Sequence, residues 1–150
     1  MSGTNEYHTE WHLQAPVDEV YTVLADVENY PQWWPQVQAA RRIDATSGEL
    51  RCRSMLPYEV VFVMCREVED AAAGVLRASL TGDLVGSSQW TITGNGDGTV
   101  AVFDEEVAVG HGAVHLASRF VRPLLRLNHD HMMRSGERGL RTHLAAGSGA

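Results

Sequence analysis

The sequence contains no lysine. All 12 of its cations are arginine, set against 19 acids, for a formal charge of −7 over 150 residues. So acidic a chain lacks the basic footprint that nucleic-acid binders need, and no nucleic-acid partner is expected. The arginine-only usage reads as composition bias rather than chemistry. Only two cysteines are present, Cys52 and Cys65, both inside apolar stretches and with no CxxC spacing. That excludes a disulfide framework and reads as reduced, buried thiols in a cytoplasmic protein. No run approaches the ~18 apolar residues of a membrane span, so no integral membrane association is expected. Met1–Glu10 lacks the apolar centre and basic flank of a signal peptide. A hydrophobic fraction of 44% and a charged fraction of 21% exclude a disordered or collagenous chain. The length suits one domain over residues 1–150, with an ordered core at about 6–144 and loose tails at 1–4 and 145–150.

What is present alternates between two periods. A first strand is predicted at about 6–14, ended by Ala15-Pro16. Pro16 with Asp18 and Glu19 is a helix start, and Val17, Val20, Tyr21 and Leu24 follow at helical spacing, giving a short helix over 17–26. Tyr30-Pro31-Gln32-Trp33-Trp34-Pro35 makes a second short, aromatic-rich turn or helix. The period then becomes two, predicting strands at about 37–44, 49–56, 58–69, 75–82, 86–94 and 99–109. Short joints make them an antiparallel meander, and Asn95-Gly96-Asp97-Gly98 is the strongest hairpin signal. One long helical stretch, about Ala113 to Leu144, closes the chain, with Pro123 expected to kink or break it. Leu116, Phe120, Leu124, Leu127 and His131 lie along one stripe, and Met132, Gly136, Gly139 and Leu140 along the next. The fold class is therefore α+β: a curved seven-stranded antiparallel sheet wrapped around a long C-terminal helix, with two short helices after the first strand.

That order resembles the START-like superfamily (SRPBCC, Bet v1-like). The resemblance rests on Ala15-Pro16-Val17-Asp18-Glu19-Val20-Tyr21 running into Ala25-Asp26-Val27-Glu28-Asn29-Tyr30-Pro31-Gln32-Trp33-Trp34-Pro35. Within the superfamily the chain is similar to the polyketide cyclase/dehydrase group, as are Arg122-Pro123-Leu124-Leu125-Arg126-Leu127-Asn128-His129-Asp130 and Met133-Arg134-Ser135-Gly136-Glu137-Arg138-Gly139-Leu140. The resemblance covers about residues 6–144. It implies a helix-grip fold with a deep apolar cavity for a hydrophobic small molecule; no cofactor is expected.

Strand alternation assigns the inner faces. In 58–69 the odd face carries three acids, Glu59, Glu67 and Glu69, so the even face, with Tyr58, Val60, Phe62, Met64, Arg66 and Val68, is expected inside. Trp90 and Ile92 point inward in their strand. Ala101, Phe103, Glu105 and Val107 do so in theirs, leaving Asp104 and Glu106 in water. By resemblance, Arg66 matches an inward arginine of polyketide aromatase/cyclases that binds a ketone oxygen. A guanidinium there stabilises an enolate during aldol closure, and Glu105 is the candidate base. The opposing reading pairs Arg66 with Glu105 as a structural ion pair or sets both at the rim. The sequence departs from the aromatase pattern at Val37, and at Phe62 and Met64, where those enzymes carry more polar groups; this favours plain ligand binding.

Further ligand candidates are Tyr30, Trp33 and Trp34, with one tryptophan expected to plug the core and the other to be half exposed. Phe120, Leu124, Asn128 and His131 are candidates on the helix, with His131 expected as a hydrogen-bonded core histidine. No metal site is expected: His111 and His115 straddle a glycine-flanked helix start, His129 and His131 diverge on a helix, and no HExxH is present. The C-terminal stretch carries Arg119, Arg122, Arg126, Arg134, Arg138 and Arg141 against Asp130 and Glu137. Such a basic face suits solvent, a homodimer partner's acidic sheet, an acyl carrier protein or a membrane surface. The expected function is binding of a lipid- or polyketide-like molecule. The alternatives are an aromatase/cyclase and an interaction module like the coenzyme Q-binding or ribosome-associated members.

Overall fold

Strand β1 (Asn5–Leu13) leads into helix α1 (Val17–Ala25) and a 3-10 helix (Val27–Gln32). A meander follows: β2 (Val37–Arg42), β3 (Ser47–Cys52), β4 (Val60–Asp70), β5 (Val75–Gly82), β6 (Leu84–Asn95) and β7 (Gly98–Val109). Helix α2 (Leu125–Ser148) ends the chain. The computed structural model describes residues 4–113 and 124–148. The seven strands form one antiparallel sheet in the order β1-β7-β6-β5-β4-β3-β2. The sheet curls into a half-barrel that grips α2, the α+β architecture the sequence predicts.

The hairpin signal holds: Asn95 pairs with Gly98, and Gly96 takes φ 65°, a conformation open to glycine at no steric cost. Elsewhere the boundaries move. β3 stops at Cys52 and β4 starts at Val60, so residues 53–59, with Pro57 lacking a backbone donor, form a loop rather than strand ends. Tyr58 therefore leaves the inner face and is 38% exposed. A bulge between Arg66 and Val68 shifts the register of β4 against β5, so Val68 emerges on the outer side, contrary to strict alternation. Cys65, on the odd face, is exposed and only Cys52 is buried, correcting the expectation of two buried thiols; both are free.

The helix also departs from expectation. Ala113 is not helical, α2 starts at Leu125, and it runs through Ala145 and Ala146 to Ser148, where a loose tail was expected. Alanine favours helix strongly enough to carry it on. Its buried face carries Met133, Gly136, Leu140 and Leu144, so the second predicted stripe is the inner one. Leu124 and Leu127 on the first stripe are 44% and 54% exposed. Leu116, Phe120, His115, Arg119, Arg122 and the kink at Pro123 lie outside the described residues.

The core centres on Trp11, fully buried, against Trp33, Trp34 and Trp90, with ring centroids 4.8–6.2 Å apart. Trp33 and Trp34 are both buried, so neither is half exposed as expected. Helix α2 also seals the free edge of β1. Arg126 donates to the Glu6 carbonyl at 3.2 Å, Glu137 accepts from the His12 amide at 2.9 Å, and Arg141 donates to the His12 carbonyl at 2.9 Å. An unpaired strand edge invites association, and these contacts occupy it.

Candidate functional site

Register builds the site. Tyr7 on β1 faces Glu105 on β7, Glu105 faces Ser88 on β6, Ser88 faces Ala78 on β5, and Ala78 faces Arg66 on β4. One transverse row thus carries Tyr7, Glu105, Ser88 and Arg66. The neighbouring row holds Phe103 beside Trp90, ring centroids 4.7 Å apart.

Between the concave sheet and α2 lies a cavity with about 1080 Å³ of empty space, the part open to solvent included. Phe62, Met64, Trp90 and Phe103 line it from the sheet, as the alternation predicts. Tyr30 and Trp34 line it from the segment after α1, and Asn128 from the helix. Several of these groups have structural partners. The Tyr30 hydroxyl donates to the Leu24 carbonyl at 2.5 Å, and burial holds that phenol protonated. Trp34 Nε1 donates to the Met132 carbonyl at 2.9 Å. Asn128 Oδ1 accepts from the Leu56 amide at 3.0 Å and its carbonyl accepts from Ser54 Oγ at 3.3 Å, tying the 53–59 loop to the helix. Cys52 also lines the cavity, and burial pushes its thiol up to about 12.

Other predicted residues stand elsewhere. Trp33 packs in the core with its carbonyl against Gly139 and does not line the cavity. Tyr58, Leu124 and His131 are not part of the lining either, and Phe120 lies outside the described residues. Arg66 is also off this cavity, in a separate polar cleft beside the end of α1. Its Nη2 donates to the Ala25 carbonyl at 2.6 Å and its Nη1 pairs with Glu69 at 3.1 Å. The last helical carbonyls have no partner inside the helix, and a guanidinium satisfies one here. An Arg66–Glu105 pair is not formed: three strand spacings separate them, roughly 14 Å of backbone.

Glu105 does face the cavity, and its partner is a residue the sequence reading missed. Oε1 of Glu105 meets Nε2 of His129 at 3.1 Å, with the side chains 9% and 14% exposed. The His129 ring stacks on Tyr7, centroids 3.9 Å apart and 13° from parallel, with Phe103 at 6.2 Å. Nδ1 of the same histidine ring is sealed from solvent without a partner. Burial and the Glu105 charge raise the pKa of the Tyr7 phenol, which stays a protonated donor. Signals for the missed residues were present. Tyr7 shares strand parity with Trp11 and Leu13, Ser88 with Trp90 and Ile92, and His129 lies one turn before Met133 on the stripe ending at Leu140. Arg126 and Arg141 of the basic helix are engaged with β1, while Arg134 and Arg138 are exposed.

A curled antiparallel sheet gripping one helix over an apolar cavity defines the START-like class. The chain belongs to the family described as polyketide cyclase/dehydrase and lipid transport, whose model matches residues 5–144. Among solved structures, it is similar to the Zhui aromatase/cyclase from Streptomyces sp. R1128, with TM-score 0.78 and 14% identity over 94% of this chain and 93% of that one. A START superfamily protein from Mycobacterium smegmatis matches with TM-score 0.74 and 15% identity over 96% and 99% of the two chains. A protein from Thermus thermophilus matches with TM-score 0.72 and 21% identity over 95% and 99%. At these identities the likeness shows the fold alone. No curated protein matches the sequence. Among the described residues, no helix is long and apolar enough to cross a membrane.

Proposed function

We propose that the protein binds a hydrophobic small molecule, lipid- or polyketide-like, in the cavity between the sheet and α2. The observation that carries this reading is the cavity itself, walled mainly by aromatic and aliphatic side chains with a few convergent polar groups at one row. Burying apolar ligand surface there supplies about 25 cal/mol per Å² of driving force before association costs. The family description, which includes lipid transport, supports the same reading. Its setting would be the cytoplasm, where two free cysteines stay reduced. Native mass spectrometry of the purified protein against its denatured mass tests the reading. A discrete extra mass lost on denaturation is expected. An empty cavity that also fails to quench tryptophan fluorescence with any apolar probe would refute it.

A second reading, aldol cyclisation, is favoured by Glu105 on the cavity wall, since His129 holds one of its oxygens and leaves the other to take a substrate proton. The position of Arg66, held by Ala25 and Glu69 in another cleft, weighs against a guanidinium at the reacting oxygen. On this reading Glu105→Gln stops turnover of a poly-β-ketone substrate while leaving its binding in place. Equal turnover by that variant would remove the reading.

A further inference from the structure

Resting on the cavity-binding reading, the geometry points to a head-group subsite: the row Ser88, Glu105 and Tyr7 takes an apolar molecule that carries one neutral hydroxyl, and it rejects a carboxylate. The three side chains are direct cross-strand neighbours on β6, β7 and β1, and all three line the cavity. Cross-strand neighbours on one face stand about 5 Å apart, close enough for a single ligand oxygen to touch two of them.

Their hydrogen-bonding capacity is largely open. Glu105 uses Oε1 on His129 and has a second oxygen to offer. The hydroxyls of Ser88 and Tyr7 donate to no protein group among the described residues. The buried side-chain polar atoms without a partner among the described residues are Trp11 Nε1, Tyr21 Oη, Gln36 Oε1 and His129 Nδ1; the oxygens of the row are not among them, and all three of its side chains line the cavity. This is a matched set for a hydroxyl group. Its proton goes to the free carboxylate oxygen of Glu105, and its lone pairs accept from Ser88 or Tyr7. A ligand carboxylate placed there would meet a second carboxylate at short range in a largely dry site, with both charges disfavoured. Arg53 on the exposed loop is the arginine in the cavity lining, whereas Arg126 lies over the Tyr7 ring, 5.2 Å from its centroid, and is not part of that lining.

Three probes with one ring system separate the possibilities at neutral pH: 2-naphthol, 2-methoxynaphthalene and 2-naphthoate, followed by quenching of tryptophan fluorescence. The naphthol should bind about tenfold more tightly than the ether, the worth of one hydrogen bond in a buried site. The naphthoate should bind more weakly than the ether. Glu105→Gln should bring naphthoate close to the ether, and Ser88→Ala, a smaller change that leaves the His129 pair intact, should reduce the naphthol advantage without moving the ether. Naphthoate binding as tightly as the ether or better would overturn the subsite and place the anchor at Arg53. Affinity ratios among the three probes that stay at the parent values in both folded variants would overturn it as well. Binding of the ether without preference for naphthol removes the subsite alone, whereas failure of all three probes removes the cavity-binding reading with it.

Discussion

Gly136 sits directly beneath the indole of Trp34: a Cβ at this position would lie 2.5 Å from Cε2 of the ring and 2.7 Å from Nε1. The same Nε1 donates to the Met132 carbonyl one turn earlier, so helix and indole are locked at a separation that admits no methyl group. Gly136→Ala is therefore expected to destabilise the protein by about 1–3 kcal/mol, the usual cost of overpacking. Thermal or urea melts check this. A variant as stable as the parent would show that the helix can shift outward freely.

Arg66→Ala should cost about 1 kcal/mol of stability, because a charged hydrogen bond to the Ala25 carbonyl is lost at a partly exposed site. Binding of an apolar probe in the main cavity should not change. Loss of probe binding with an intact melting transition would instead assign Arg66 to the ligand.

Asn128→Ala removes the acceptor that holds the Leu56 amide. The 53–59 loop should open more often, by roughly fivefold for a bond worth about 1 kcal/mol. Trypsin cleavage after Arg53 is the readout, and bound probe should leave faster by a similar factor. Unaltered cleavage would mean that the loop is held by its other contacts.

The thiols should separate cleanly. Cys65 is exposed and should react with an aromatic disulfide reagent at once. Cys52, buried on the cavity wall with its pKa at about 12, should react only after denaturation. Two fast equivalents in the native protein would contradict the burial.

His8, on the outer face of β1, has its pKa raised above 6.5 chiefly by its hydrogen bond to Asp104. Because the folded value is the higher one, the protonated form favours folding. The contribution is complete below 6.5 and disappears as pH rises through the folded value. An NMR titration of His8 should show a raised midpoint that returns toward 6.5 in Asp104→Asn. An unchanged midpoint in that variant would dismiss the pair.

The fold was legible because its signals are local. Pro16 with Asp18 and Glu19 starts a helix wherever it occurs, Gly96 makes the hairpin, and period-two alternation orients Phe62, Trp90 and Phe103 without knowledge of their neighbours. Alternation fails where a strand ends early, at Tyr58, or bulges, at Val68, since both depend on pairing with another strand. The helix stripe was misplaced for a similar reason. Leu124, Leu127 and His131 form a self-consistent stripe, but the glycines at 136 and 139, which alone fit against Trp34 and Trp33, decide which side turns inward. His129 follows from that choice. Tyr7 and Ser88 were readable by parity, but their meeting with Glu105 required the β1–β7–β6 register.

The seam between β1 and α2 has a consequence for the order of folding. Strands β2 to β7 are joined hairpin by hairpin and can assemble as the chain emerges. β1, made before any of them, must wait for β7 and then for α2, whose bonds to it span 120 to 129 residues. Closing so large a loop is slow, and the waiting strand is exposed on both sides. Pulse-labelled hydrogen exchange should find the amides of β1 protected last, the barrel closing where the two ends of the chain meet.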